Sequence, residues 1–403
     1  MKARVPDMVG RLTGQEPWRL LQRGSVVFLV ALLVRIAYVL LCNGSYALDV
    51  GDQAAYERIA REWVSGGQFM PGSSYRPPAY PAFVAAIYWV FGPHRVAVEL
   101  AQALIGAVTA LLVMLLARHL FSSRAAVVAG WTVALLPVLV HFSAQLMAET
   151  LFTALLIAVL LILVRDDTRG AGQAVVWAGV LVGLGALMRP NVLLLPAALA
   201  FWWRWSCRLP VLATFKKTLL CLAVALVTIL PWSIRNLNVQ GSFVPVSTNG
   251  GVNLWIGNNE HATGDWLKPG DYWSPSGNTE VEVDRQYYRA ALQFMVAHPG
   301  RTLGLAARKL CIFWLPYPHA TDRVPSVLLV PLVLVGLATS LPRRRTWILL
   351  ATIVYFTLVS CVFFANQRFH VPLLPVLAVY AGAGGERLWE WCARKRSGRG
   401  VRP

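Results

Sequence analysis

Along its length the chain alternates between apolar runs and shorter polar segments, and the runs approach the ~20 residues that a helix needs to cross a ~30 Å hydrocarbon core. They predict about ten transmembrane helices, at 25–42, 97–117, 125–142, 145–164, 173–188, 190–203, 218–231, 324–341, 346–364 and 369–386. Two long segments, 43–96 and 232–323, interrupt the series. In the first, Tyr56, Ile59, Ala60 and Trp63 recur at helical spacing, so 53–64 reads as a short amphipathic helix with Asp52 at its N-cap and Gly66-Gly67 at its end. YRPPAYP (75–81) is broken by its prolines and leads into AFVAAIYWVFG (82–92), too short to span and read as a second interfacial helix. In the second segment, FVPVSTNGGVNLWIGNN (243–259) has alternating apolar positions on both sides of Asn249-Gly250, which predicts a β-hairpin. A helix follows over Asp284 to Ala297. Another starts at Pro299, with Arg301, Arg308 and Lys309 on one side and Leu303, Leu310 and Phe313 on the other.

Composition supports a lipid solvent. The chain has 403 residues, 57% of them hydrophobic and 14% charged, against roughly 25% charged in soluble domains. The fold class is therefore an all-α polytopic membrane protein, with interfacial helices and a small β-hairpin in its outer loops. The net charge of +18 does not indicate nucleic acid, because the basic residues are unevenly placed. With the N-terminus inside, the segments 1–24, 118–124, 165–172, 204–217, 342–345 and 387–403 are rich in Lys and Arg, whereas the outer segments nearly balance. That asymmetry puts both termini in the cytoplasm. The organisation is a tail (1–24), a membrane domain (25–386) whose loops 43–96 and 232–323 face outward, and a basic tail (387–403) beside anionic lipid. Six cysteines show no metal-ligand or redox spacing.

The outward face also collects the candidate chemistry. Asp49 and Asp52 open the first loop, and Arg189, Arg235 and Arg368 lie at outer ends of spans. Carboxylates can remove a proton from a hydroxyl, and an arginine fork can hold two phosphate oxygens. Glu149 lies in an otherwise apolar run, where a carboxylate costs roughly 2.5–3.5 kcal/mol. His141 ends the preceding span, and Arg35 sits within the first one and needs a partner. Tyr56 and Arg76 belong to the same loop as Asp52. In NLWIGNN (253–259), Trp255 with Asn253, Asn258 and Asn259 combines an aromatic face with amides, suited to a sugar ring and equally to a turn.

Eight segments in order carry a family resemblance: GDQAAYERIA (51–60), YRPPAYPAFVAAIYWVFG (75–92), AETLF (148–152), MRPN (188–191), LPWSIRN (230–236), STNGGVNLWIGNN (247–259), AHPG (297–300) and RFHVPLLPVLAVYAG (368–382). The chain resembles the family 39 glycosyltransferases of the GT-C class, which include dolichyl-phosphate-mannose protein mannosyltransferases and the aminoarabinose transferase acting on lipid A. The resemblance implies an inverting membrane glycosyltransferase of a bacterial inner membrane. It would move a sugar from a polyprenyl-phosphate donor to a hydroxyl of a glycolipid, glycan or protein on the outer face, with membrane lipid as solvent and no nucleic acid as partner. The acid of the first outer loop, here Asp52, would sit in the active cavity as general base, with Asp49 and Glu149 beside it. Many members carry Asp-Glu at that point. This chain has Asp52-Gln53, which leaves the second carboxylate and any divalent cation open, with Asp49 as the substitute. A secondary transporter, which should show internal repeats, and a noncatalytic envelope-assembly subunit remain alternatives.

The charge asymmetry generates a topological prediction. In a cysteine-free background, a membrane-impermeant thiol reagent applied outside should label Ser276→Cys and spare Ser397→Cys; the reverse pattern would invert the reading.

Overall fold

The computed structural model describes residues 16–42, 51–166, 172–316 and 320–396. Sixteen α-helices follow in chain order. The first eight are α1 (Glu16–Cys42), α2 (Asp52–Val64), α3 (Ala79–Phe91), α4 (Arg95–Leu120), α5 (Ser123–Leu135), α6 (Pro137–His141), α7 (Glu149–Asp166) and α8 (Gly172–Ala186). The rest are α9 (Leu195–Phe201), α10 (Val211–Gln240), α11 (Gly250–Gly257), α12 (Glu280–Ala297), α13 (Pro299–Trp314), α14 (Ala320–Ser340), α15 (Trp347–Val362) and α16 (Leu374–Arg396). Among the described residues there is no strand. By length and composition, four helices among the described residues can cross a bilayer: Gln22–Leu41, Arg95–Leu120, Val211–Gln240 and Arg344–Val362. A fifth forms if Ser123–Leu135 and Pro137–Ala144 are joined across a 54° bend. The other expected spans fall on helices that are shorter, broken or charged at their ends. The molecule is an integral membrane protein.

The bend between α5 and α6 has an identifiable cause. Pro137 cannot donate a backbone hydrogen bond, so the carbonyls one turn earlier lose their helical partners. Arg35, buried on α1, takes them: its guanidinium donates to Val133 O at 2.9 Å, Ala134 O at 2.9 Å and Ala31 O at 3.0 Å. The partner that Arg35 needs is thus backbone rather than a carboxylate. α4 yields room for it at Gly106, where a Cβ would stand 2.6 Å from Arg35 Nε. Close approach recurs around α16, which packs against both α5 and α14. A Cβ on Gly382 would meet Ala125 O at 2.3 Å, and one on Gly384 would meet Leu332 O at 2.0 Å. Such contacts replace hydrophobic drive, which is weak between helices in lipid, with dense backbone packing.

The outer loops depart from expectation in three places. First, α2 starts at Asp52 and its N-cap is Gly51, at φ 91°, so Asp52 is not the cap and its carboxylate is free for other work. The expected apolar face holds, with Tyr56 and Ala60 buried and Ile59 and Trp63 half-buried. Second, the hairpin does not form. Asn249 has φ −114° and ψ 6°, and residues 250–257 make α11 instead. The two glycines serve close packing rather than a turn, since their Cβ atoms would meet Tyr288 Oη at 2.1 Å and Asp284 O at 2.0 Å. Val252, Leu254, Trp255 and Ile256 are all buried, surrounded by Tyr287, Ala291 and Phe364. A two-faced hairpin would leave alternate positions to water, so the packing favours the helix. Third, the buried face of α13 is rotated from the one expected: Phe313 is buried as expected, but Lys309 joins it and the two expected leucines do not. Lys309 is fully buried with Leu305 and Phe313, while Leu303 and Leu310 are exposed. Its three buried positions are four residues apart and form one stripe.

The α14–α16 crossing yields a measurable consequence. Gly384→Val should lower thermal stability by about 1–3 kcal/mol or more, as overpacking does, whereas Gly300→Ala, with open space around it, should be silent in the same unfolding assay.

Candidate active site

Five charged side chains from five segments meet at one end of the bundle. α2 delivers Asp52, the loop before α3 delivers Arg76, the first turn of α7 delivers Glu149, and the α8–α9 turn delivers Arg189. A 3-10 helix over Gln367–Leu373 delivers Arg368. Arg368 donates to Asp52 Oδ2 at 2.7 Å, and Arg76 engages the other oxygen, Oδ1. Arg189 pairs with Glu149 Oε1 at 2.6 Å, and Arg368 Nε reaches the same oxygen at 3.5 Å. Arg368 thus links the two carboxylates. Phe369 lies between the arginines, with the Arg189 and Arg368 guanidiniums 5.6 and 5.5 Å from its ring centre. Arg189 also stands 5.4 Å from Phe152, and Arg76 stands 5.4 Å from Tyr56.

The charges perturb one another. Burial opposes ionisation of Asp52, but Arg368 and Arg76 outweigh it and hold the carboxyl down to about 2. Burial likewise opposes the charge on Arg368, and Glu149 and Asp52 more than offset it, raising its pKa. Tyr56 is pushed up to about 12, by burial first and then by Asp52. Three arginines face two carboxylates, a formal excess of one positive charge. The surplus positive charge favours an incoming phosphate. Glu149 is buried at 2% exposure and is the first residue of α7 rather than mid-span, where the positive end of the helix dipole helps a carboxylate.

The other expected residues are used differently. Arg235 lies within α10 and spends its guanidinium on loop carbonyls: it donates to Ser73 O at 2.8 Å and to Met70 O, and it stacks 4.6 Å from Trp232. It clamps the segment before Arg76. His141 is buried, with Nδ1 3.0 Å from Tyr38 Oη. Trp255 packs against Trp273 and Tyr287. Asn258 Nδ2 donates to Leu254 O and Val362 O, Asn259 Nδ2 donates to Trp255 O, and Asn253 is half-buried on the same helix. In this arrangement the aromatic ring and the Asn258 and Asn259 amides of NLWIGNN are helix ends and core. Asp49 lies outside the described residues.

Gln53 carries a role the sequence did not suggest. Its Nε2 donates to Gln145 Oε1 at 2.7 Å and its Oε1 accepts from Leu146 N at 3.0 Å. Gln102 Nε2 in turn donates to Ser143 O and Gln145 O. These amides pin α2 and α4 to the short segment that ends at Glu149, and so set the separation of Asp52 and Glu149. The only hint in the sequence was Gln where a carboxylate was expected. This donor set does not fit a divalent cation: both Asp52 oxygens and Glu149 Oε1 are held by guanidiniums, and the Gln53 amide is engaged at both atoms. Among the described residues no three His, Cys, Asp or Glu side chains converge.

Comparison with known proteins adds an independent line. Residues 75–234 match the family model described as dolichyl-phosphate-mannose-protein mannosyltransferase, a GT-C family. No curated protein matches the sequence. Among solved structures, the Archaeoglobus fulgidus oligosaccharyltransferase AglB, in complex with an inhibitory peptide and a dolichol-phosphate, is 14% identical with a TM-score of 0.58, over 95% of this chain and 52% of that one. ArnT from Cupriavidus metallidurans in the apo state is 19% identical with a TM-score of 0.59, over 92% of this chain and 61% of that one. ArnT bound to undecaprenyl phosphate is 18% identical with a TM-score of 0.52, over 95% and 62%. At these identities the likeness is one of fold, and the chain spans about half the length of the archaeal structure. The resemblance drawn from the motifs is therefore found again in the family model and in the GT-C fold.

Proposed function

We propose that the protein is a GT-C glycosyltransferase that takes a sugar from a polyprenyl-phosphate donor and gives it, with inversion, to a hydroxyl on the extracytoplasmic face. One observation carries the proposal: Arg76, Arg189 and Arg368 converge on Asp52 and Glu149 with one positive charge in excess. The family match over 75–234 supports a lipid-linked donor, since that family is described by dolichyl-phosphate-mannose. The undecaprenyl phosphate and dolichol-phosphate in the ArnT and AglB structures support it too.

In this reading the donor phosphate competes with Asp52 for Arg368 and Arg76. Charge builds on that phosphate as the bond to the anomeric carbon breaks, and preplaced guanidiniums stabilise it without reorganising. The same exchange frees the Asp52 carboxylate. Relieved of its arginines, it recovers basicity and takes the proton of the acceptor hydroxyl as the new glycosidic bond forms on the opposite face of the sugar. Glu149 keeps Arg189 and Arg368 in place. Asp49 stays a candidate second acid. A groove of about 470 Å³, lined by Phe69, Pro78, Ala82, Leu187, Pro231 and Trp232, fits the prenyl chain. Its walls continue into the site, because Pro78 is two residues from Arg76 and Leu187 two from Arg189, joined where Ala79 N donates to Leu187 O at 2.9 Å.

Two outcomes are expected. In nanodiscs the protein should consume a polyprenyl-phosphate sugar and release polyprenyl phosphate when a suitable acceptor is present; solute movement across sealed vesicles with the donor left intact would instead mark a transporter. Asp52→Asn preserves shape but removes the proton acceptor, so at equal membrane expression kcat should fall by ~10² to 10⁴. Turnover within about threefold of wild type would leave Asp52 only the smaller part of a partly exposed ion pair.

A further inference from the structure

The second outer loop holds a buried cation that the proposed chemistry does not use. Lys309 on α13 is fully buried, and burial brings its ammonium down to about 8. Among the described residues it meets neutral oxygens: Nζ donates to Asn258 Oδ1 at 3.0 Å, Cys361 O at 3.2 Å and Val362 O at 3.3 Å. Cys361 and Val362 close α15, and their carbonyls are the negative end of that helix, where a cation is favourable. Asn258 Nδ2 adds a second donor to Val362 O at 2.8 Å.

The segment that carries Arg368 leaves directly from the end of α15. A Cβ on Gly257 would stand 2.0 Å from Phe363 O, so the end of α11 lies against that segment. Ala365 N donates to Gly264 O at 2.9 Å, and Asn366 Nδ2 donates to Asp265 Oδ1 at 3.3 Å. Asn366 Oδ1 accepts from Arg368 N at 3.0 Å. His370 Nδ1 lies 2.6 Å from Phe313 O, one helical turn beyond Lys309 on the same buried stripe. Residues 361–370 are therefore splinted along their length by 257–265 and by α13.

We infer that Lys309 is a positioning residue for Arg368, tying the end of α15 to the second outer loop so that the guanidinium meets Asp52 and Glu149. This rests on the proposed donor-phosphate role of Arg368. A desolvated ammonium without a carboxylate is costly to keep, and a methionine would fill the same stem at no such cost. Its place at the turn that launches Arg368 accounts for it. A misplacement of about 1 Å at such a group can cost ~10²-fold in rate.

The test uses the full-length protein in nanodiscs with a polyprenyl monophosphate as probe. Lys309→Met should weaken binding of the probe and raise the donor KM by ~10-fold or more, with the acceptor KM unchanged. In an Arg368→Ala background the same substitution should add less than about twofold, because the two act as a unit. Amide exchange over 363–370 should rise in Lys309→Met. If that variant fails to accumulate, Asn258→Ala, which removes one Lys309 acceptor, is expected to show the same pattern. Unchanged exchange in 363–370, or losses that simply add with Arg368→Ala, would overturn the positioning role. Wild-type protein that binds no polyprenyl phosphate would overturn the donor reading of the site, and the exchange measurement would still decide whether Lys309 holds the segment.

Discussion

Arg368 is the bridge on which the charged cluster of this protein depends. It holds Asp52 Oδ2 at 2.7 Å and stands 3.5 Å from Glu149 Oε1, so one guanidinium joins the first outer loop to the bundle. Two carboxylates this close would repel if left alone, and Glu149 is buried beyond the reach of bulk water. With the bridge in place, each acid has a hydrogen-bonded cation, and the remaining arginines, Arg76 and Arg189, complete the pairing. Phe369 keeps the Arg189 and Arg368 guanidiniums on a shared ring.

That arrangement makes resting state and reaction different problems. At rest the arginines stabilise an ionised Asp52 so strongly that its carboxyl is held near 2, far too weak a base for a hydroxyl. In the proposed reaction, a phosphate that draws the guanidiniums away would restore its basicity. The arginines would there supply the charge compensation that a metal supplies elsewhere.

The bridge is itself supported from a distance. The amides of Gln53, Gln102 and Gln145 fix the approach of α2 to the segment before Glu149. Arg235 clamps the loop before Arg76, and Lys309 secures the turn before Arg368. Most of their contacts are with backbone groups or neutral amides. They set positions without adding net charge at the carboxylates, so the local electrostatics stay those of the five central groups.

Much of this was legible in the residues. Apolar runs and a low share of charged residues identify a polytopic membrane protein. Spacing alone gives the amphipathic face of α2, and Asp52, Glu149, Arg189 and Arg368 are found because charge near an apolar run demands a reason. Local pattern failed where a segment is packed on more than one side. Around Asn249 it read a hairpin, because Asn249-Gly250 looks like a turn until α12 is seen to need the missing Cβ atoms of Gly250 and Gly251. It placed Lys309 on a polar side, because nothing nearby in sequence reveals the carbonyls of Cys361 and Val362. Solvent preference along one helix fixes what each residue can be near, water, lipid or protein. Which partner it meets is decided by contacts between residues as far apart as Asp52 and Arg368, whose pairing is set by how the whole bundle closes.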